Sequence, residues 1–176
     1  MKPLRSLLIG CGHSRVKQLQ YDGNTEWVGE LTTMDVSPIC GADVVFDMQA
    51  VADGASMPFD DDTFDEASAF NSQEHWGRQG DFRGWFWEMG EIHRILKPGG
   101  LFFSLVPIGE DALADPGHTR FFQTNYWSFL NQAFYTHNET LKSCFSDYRW
   151  IWRKNFEILY MREHDGHHLA VVLRKA

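Results

Sequence analysis

Two glycines separated by a single residue follow an apolar run near the start of the chain, in the segment Leu7-Leu8-Ile9-Gly10-Cys11-Gly12. Glycine has no Cβ, so a glycine turn after a buried strand lets the backbone approach a bound ligand closely. A dinucleotide fingerprint requires a third glycine, at the position that Arg15 occupies here. The loop therefore indicates a nucleotide-containing cofactor, and Arg15 argues against NAD.

Several carboxylates follow apolar runs at positions suited to a nucleoside. Asp35, next to Val36, ends the second run, where an acid accepts hydrogen bonds from ribose hydroxyls, each contributing about 1.5–3 kcal/mol. The alternative is a helix-capping Asp before Ser37-Pro38. Asp47 with Met48 suits an adenine, since the acid accepts from the exocyclic amine while the apolar side chain packs on the ring.

Asp53 competes with Asp47 for the adenine, because the segment from Asp53 to Met57 offers a second acid and a second methionine at a plausible spacing. The alternative for either acid is a solvated position in a loop. Both possibilities therefore stay open at the level of the sequence.

The elements that must position these residues follow from the hydrophobic pattern. Five apolar runs, residues 4–9, 31–36, 43–48, 64–70 and 101–106, are continuous rather than alternating, which is typical of strands buried on both faces of a parallel sheet. Apolar residues recur every three or four positions over 81–96, which predicts an amphipathic helix that ends at Lys97-Pro98-Gly99-Gly100.

The remainder of the chain is predicted as one more helix and a hairpin. Residues 124–137 form the helix, with Thr124 as its N-cap. Strands at 148–162 and 168–174 are joined by the turn Asp165-Gly166.

Alternating strands and helices predict a single α/β domain over residues 1–176. We expect a doubly wound, mostly parallel Rossmann-like sheet, to which the final hairpin adds an antiparallel C-terminal strand at the edge. In such sheets ligands bind beyond the carboxyl ends of the strands. The glycine loop and each candidate acid follow a predicted strand, so the site is expected at that edge.

Composition excludes several classes of partner. The net charge of −8 argues against nucleic acid, whose phosphates need a basic surface. The three cysteines are odd in number, far apart and without a C-x-x-C pair, which favours reduced thiols in the cytoplasm and no metal site. With no run near 18 apolar residues, we expect no membrane partner. The oligomeric state is not predicted.

Three further motifs follow in order along the chain: Met57-Pro58-Phe59-Asp60-Asp61-Asp62-Thr63-Phe64-Asp65, then Glu74-His75, then Leu96-Lys97-Pro98-Gly99-Gly100. In this order and spacing they resemble the small class I S-adenosylmethionine-dependent methyltransferases (type 11), with the pattern L-P-F-x-D-x-S-F-D, E-H and L-K-P-G-G. The resemblance extends from Leu7 to Pro107. It departs from the family at Leu8, where an acid is usual, and at Ser14, where a third glycine is common.

The resemblance implies S-adenosyl-L-methionine as the cofactor. It places Gly10, Cys11 and Gly12 along the methionine part of the cofactor and Asp35 on the ribose. Asp47 or Asp53, with Met48 or Met57, would bind the adenine, and the backbone of Asn71 would face the sulfonium. Trp76 or Trp127 is a candidate to lie against the sulfonium cation.

A later segment, Asp115-Pro116-Gly117-His118-Thr119-Arg120, resembles an element that follows the fifth strand in some of these enzymes. It implies a lid over the acceptor, in a segment of about residues 108–140. His118 is a candidate general base and Arg120 a bidentate clamp for an anionic acceptor. The alternative is that both residues are structural; His75 likewise serves either as a base or in orienting helices.

The function expected is methyl transfer to a small-molecule or sugar-like acceptor. A protein methyltransferase and a catalytically impaired cofactor-binding regulatory protein are the alternatives. An NAD or nucleotide-sugar oxidoreductase is disfavoured by Arg15 and the later motifs. A nucleic-acid base methyltransferase is disfavoured because Asn71-Ser72-Gln73-Glu74 stands where an N-P-P-Y-like element would grip a flipped base.

Overall fold

A computed structural model describes residues 3–21 and 23–176 and contains one seven-stranded sheet. The strands are β1 (Arg5–Ile9), β2 (Glu30–Asp35), β3 (Val44–Val45), β4 (Phe64–Phe70), β5 (Leu96–Pro107), β6 (Phe156–His164) and β7 (His168–Lys175). The helices are α1 (Gln49–Ala52), α2 (Phe82–Ile95), α3 (Asp111–Ala114), α4 (Thr124–Ser128) and α5 (Gln132–Leu141), and a single 3-10 turn spans Gln73–His75.

The strand order is β3-β2-β1-β4-β5-β7-β6. Strands β1 to β5 pair in parallel, so their carboxyl ends share one edge of the sheet. The antiparallel strand β7 lies between β5 and β6. The predicted α/β fold with an antiparallel C-terminal strand is confirmed, and the final hairpin lies at one edge of the sheet, with β7 next to β5 and β6 outermost.

Helix α2 forms as its pattern predicts. The side chain of Asp81 caps it by accepting from the N–H of Gly84 at 3.0 Å, and its apolar side, including Trp85 and Met89, is buried. Strand β5 begins at Leu96, directly after the helix, so the predicted turn at Lys97–Gly100 already belongs to the strand.

Three sequence predictions of local structure were wrong in extent. The helix predicted over 124–137 is divided into α4 and α5, because the Asn131 side chain caps the second helix by accepting from the N–H of Ala133 at 2.8 Å. Thr124 is the first residue of α4 and not its cap. The strand predicted from 148 begins only at Phe156, and the strand predicted over 43–48 is reduced to Val44–Val45.

The two faces of the sheet are covered differently. One face packs against residues of α1, α2, α4 and α5, including Trp85, Met89 and Trp127. The apolar cluster on the other face contains no helical residue; it is covered by the extended chain between β1 and β2, which contributes Leu19 and Trp27. Within the described residues, no helix has the length and apolar character needed to cross a bilayer.

Candidate functional site

A cavity of about 270 Å³ opens at the carboxyl ends of β1, β2, β3 and β4. We call it the strand-end cavity. Its walls are Ile9, Gly10, Gly12, Met34, Asp35, Val36, Phe46, Asp47, Met48, Asn71, Ser72, His75 and Trp76. Cavities that hold small ligands usually measure about 300–1,000 Å³, so this open cavity lies just below that range, and the residues of its wall rather than its size indicate the ligand.

Asp35 stands at the centre of the cavity wall, at the end of β2. Its Oδ2 accepts from the N–H of Gly12 at 2.8 Å, and its Oδ1 accepts from the N–H of Ser37 at 2.8 Å. The carboxylate therefore fixes the glycine loop against β2 and also holds the turn at Ser37. Residues 36–43 contain no helix, so Asp35 is not the helix cap that the alternative expected. Because a carboxylate has about four acceptor positions, roughly two remain for a ligand.

The structure separates the two candidate acids for the adenine. Asp47 and Met48 line the strand-end cavity, together with Phe46. Asp53 is exposed at the end of α1 and Met57 is buried in the core, and neither lines the cavity. The pair Asp47 and Met48 is therefore the one placed to contact a ligand there.

The glycine loop divides its residues between the cavity and the core. Gly12 has a φ of 49°, and a Cβ built on it would meet no atom within 4 Å. A Cβ on Gly10 (φ 66°) would lie 2.0 Å from Oγ of Ser72, so this glycine is required for contact between the loop and the end of β4. Cys11 does not line the cavity; it is buried on the opposite face of the sheet, where burial raises the pKa of its thiol to about 11.

The residues after β4 form the remaining wall. Asn71 lies in the cavity wall with a φ of 48°, and Trp76 donates from Nε1 to Oγ of Ser72 at 3.0 Å. Trp127, the other aromatic candidate, is fully buried in the core and does not line the cavity. Ser72 and Phe46 were missed by the sequence analysis, since an isolated Ser or Phe carries no motif.

Glu74, His75 and His118 lie together beside the cavity, with one potential ligand atom of each within 4.8 Å of the others. The rings of His75 and His118 are 4.8 Å apart between centroids. Glu74 is almost fully buried, and this burial, aided by the carboxylate of Asp115, raises its pKa to about 7. The backbone carbonyl of Glu74 accepts from the N–H groups of Thr119 and Arg120 at 2.9 and 3.0 Å, which holds the lid segment in place.

Arg120 occupies the structural position that the sequence analysis kept as its alternative. Its guanidinium is wholly buried and forms an ion pair with the equally buried Glu88 of α2. A Cβ on Gly77 would lie 2.2 Å from a guanidinium nitrogen, so the arginine fills its pocket closely. Arg120 therefore has no surface to offer to an anionic acceptor, and the predicted clamp is corrected to an anchor of the lid segment.

A larger open groove of about 1,070 Å³ lies along the lid segment, and we call it the lid groove. Its walls include the aromatic side chains Phe121, Phe122, Tyr126 and Phe129 and the acids Glu110, Asp111 and Glu163. Ala112, which also lines the groove, accepts through its carbonyl from Nδ1 of His118 at 3.0 Å. The histidine pair therefore lies between the strand-end cavity and the lid groove.

Comparison with known proteins identifies the family. Residues 7–104, more than half of the chain, match the family described as a methyltransferase domain. No curated protein matches the chain by sequence.

Solved structures share the fold at low sequence identity. An S-adenosylmethionine-dependent methyltransferase from Aquifex aeolicus has a TM-score of 0.57 at 12% identity, covering 98% of this chain and 82% of that chain. The YcgJ protein from Bacillus subtilis has a TM-score of 0.56 at 15% identity, covering 98% and 92%. The 1,6-didemethyltoxoflavin-N1-methyltransferase of Burkholderia thailandensis, bound to 1,6-didemethyltoxoflavin and S-adenosylhomocysteine, has a TM-score of 0.55 at 17% identity, covering 99% and 72%.

The order of strands, the cavity at their carboxyl ends and the family match agree with one another. The chain belongs to the methyltransferase domain family and is a class I S-adenosylmethionine-dependent methyltransferase.

Proposed function

We propose that the enzyme methylates a small, uncharged or cationic acceptor, such as a sugar-like molecule, with its cofactor in the strand-end cavity. The observation that carries the cofactor site in this proposal is the meeting of Gly12, Asp35 and Asp47 around one cavity at the strand ends. These residues come from three separate segments, and each is of the type that a nucleoside requires.

The proposed cofactor contacts follow from the hydrogen-bond acceptor positions in the cavity wall that the protein itself leaves free. The free acceptor positions of Asp35 would take the ribose hydroxyls, and Oδ2 of Asp47 would take the exocyclic amine, because its Oδ1 already accepts from the N–H of Gln49 at 2.9 Å. Met48 and Val36 would pack against the adenine, and the open side of Gly12 would admit the methionine part. The bound sulfonium supplies an activated methyl group.

The protein's own contribution is mainly positioning. Holding an acceptor in line at short distance supplies much of the rate in a transfer from a good leaving group. Asn71 and Trp76 would bound the reacting end of the cavity, since both lie in its wall after β4. We place His75 and His118 next to the reacting atom of the acceptor. Arg120, paired with Glu88, holds the lid segment in position.

The chemistry of the lid groove supports the class of acceptor. The groove combines aromatic surface with three acids, Glu110, Asp111 and Glu163, against one histidine, His167, which pairs with Asp111 at 2.7 Å. The basic side chain expected there, Arg120, is buried against Glu88. Such a surface repels phosphorylated acceptors and favours neutral or cationic ones. The Burkholderia neighbour holds a small molecule, which also supports an acceptor of that size.

Calorimetric titration tests the proposed cofactor site. The wild type is expected to bind S-adenosylmethionine and S-adenosylhomocysteine in preference to NAD. Replacing Asp35 with alanine removes charge-assisted hydrogen bonds, so affinity should fall by at least about tenfold. Asp47→Ala is expected to weaken binding too, whereas the matched control Asp53→Ala, outside the cavity, should leave affinity unchanged.

A panel of acceptors then tests the proposed specificity. Release of S-adenosylhomocysteine with neutral or cationic small molecules, and none with their phosphorylated counterparts, is the expected result. A preference for NAD, or equal binding by Asp35→Ala, would contradict the cofactor site. Turnover with protein substrates alone would contradict the acceptor class.

A further inference from the structure

Three potential metal ligands meet beside the strand-end cavity although they are distant in sequence. Glu74 and His75 belong to the 3-10 turn after β4, and His118 belongs to the lid segment. One carboxylate and two imidazoles form a ligand set that suits zinc and other late first-row divalent ions. The three ligands do not form a metal-binding motif along the chain, so the sequence analysis, which found no C-x-x-C pair, predicted no metal site.

Both imidazoles are oriented as metal-bound histidines usually are. Nδ1 of His75 lies 3.0 Å from the carbonyl of Gly117, and Nδ1 of His118 lies 3.0 Å from the carbonyl of Ala112. A carbonyl only accepts, so each Nδ1 carries the proton, and in the neutral ring Nε2 keeps its lone pair. A backbone carbonyl that holds one ring nitrogen and frees the other is the usual outer contact of a metal-binding histidine.

Glu74 supplies a buried carboxylate, one oxygen of which lacks a hydrogen-bond partner within the described chain. Its side chain is 2% exposed, and Oε2 is buried without a hydrogen-bond partner. Oε1 lies 3.9 Å from Nε2 of His118, which is too far for a hydrogen bond. Burying a carboxyl group in this way costs free energy, and a bound cation would compensate for it.

The cluster of Glu74, His75 and His118 also lies where the strand-end cavity and the lid groove meet. His75 lines the strand-end cavity, and His118 contacts Ala112 of the lid groove. An ion held here would lie beside the junction of the proposed cofactor and acceptor positions, where it could bind the acceptor without standing in the path of the methyl group.

We propose that Glu74, His75 and His118 bind one divalent cation of the zinc type at the junction of the strand-end cavity and the lid groove. Three protein ligands leave a position open, as in catalytic zinc sites. This role rests on the proposed function: the open coordination position would take an oxygen or nitrogen atom of the acceptor. The cation would then lower the pKa of that bound group.

Metal titration of the chelator-treated protein tests the site without any methyl transfer. Calorimetry with Zn²⁺ and visible absorption with Co²⁺ are expected to show one equivalent bound. Glu74→Gln and His118→Asn should each weaken binding by at least roughly tenfold. The matched control is His168→Asn, because His168 pairs with Asp165 at 2.9 Å on the exposed β6–β7 hairpin and so presents a carboxylate and an imidazole away from the site.

Absence of a single equivalent, or wild-type affinity in both site variants, would overturn the proposal, as would loss of binding in His168→Asn. If Glu74→Gln fails to fold, His118→Asn decides alone. S-adenosylhomocysteine binding is measured on the same metal-free protein. Cofactor binding without metal binding rejects only the metal site, and metal binding without cofactor binding rejects only the proposed function.

Discussion

Individual residues of the glycine loop have separable roles. Gly10 meets the side chain of Ser72, whereas Gly12 faces open space at the cavity wall, although both have positive φ. A positive φ costs a non-glycine residue about 1–2 kcal/mol by itself. A contact with Ser72 adds to that cost only at Gly10.

Alanine at the two glycines is therefore expected to give different results. Gly10→Ala should lose stability well beyond the αL cost, because its Cβ would lie 2.0 Å from Oγ of Ser72. Gly12→Ala should lose only about 1–2 kcal/mol and yet weaken cofactor binding, because its methyl group would project into the cavity. Urea unfolding and calorimetry measure the two effects.

The control for this pair is Gly166→Ala, in the β6–β7 turn, where φ is 79° and the space around a Cβ is open. It should show the αL cost and normal cofactor affinity. Equal destabilisation by all three variants would contradict the role assigned to the contact with Ser72.

At the scale of elements, helix α2 carries a histidine at its C-terminal turn that the site does not use. The ring of His93 packs against Phe156, with centroids 5.1 Å apart, and its Nε2 is buried and has no hydrogen-bond partner among residues 3–21 and 23–176. Burial lowers the pKa of His93 to about 4, and the positive charges of Lys175 and Lys154 contribute to the shift. The folded protein therefore holds this imidazole neutral.

The stability contributed by neutral His93 is expected to be present above pH 6.5, the usual histidine pKa, and to be lost as the pH falls towards 4, because the unfolded chain takes up the proton first. In His93→Leu the decline in stability between pH 7 and pH 5 should be smaller by roughly 1–2 kcal/mol. Thermal unfolding across this range measures it. The exposed His137 of α5 provides the control, and His137→Gln should retain the wild-type decline; an unchanged decline in His93→Leu would contradict the assignment.

The whole molecule is asymmetric about its sheet. Helices cover one face, and the extended chain between β1 and β2 covers the other, where Lys17 forms an ion pair with Glu66 of β4 at 2.8 Å. Both side chains are almost fully buried. Glu66 also accepts from Oγ of Ser6 at 2.8 Å and from the N–H of Val28 at 3.2 Å, so one carboxylate fastens the cover to the sheet.

Removal of Lys17 leaves a buried carboxylate without its counter-charge. Lys17→Met is expected to lower the free energy of unfolding by about 3–5 kcal/mol. The control is Glu157→Ala, which breaks the exposed pair with Arg174 and should cost no more than about 1 kcal/mol. Urea unfolding compares the two, and a similar small loss in both would contradict the anchoring role of Lys17.

The sequence by itself determined local features of the structure: the strands, helix α2 and the residues that directly follow the strands. Continuous apolar runs predicted the parallel strands, the three-and-four spacing predicted α2, and residues directly after strands, such as Gly12 and Asp35, were predicted at the site. The strands and α2 formed where predicted, and Gly12 and Asp35 line the strand-end cavity, because the carboxyl end of a parallel strand has a definite place in the sheet. A position along the chain therefore translated directly into a position in the fold.

The tertiary structure alone decided which residues meet. It selected Asp47 over Asp53 for the cavity wall, buried Arg120 against Glu88, inserted β7 between β5 and β6, and brought His118 to Glu74. Each outcome depends on packing and hydrogen bonds between segments far apart in the chain. Hydrophobic periodicity describes only how a segment faces its own surroundings, so it carries no information about these partners.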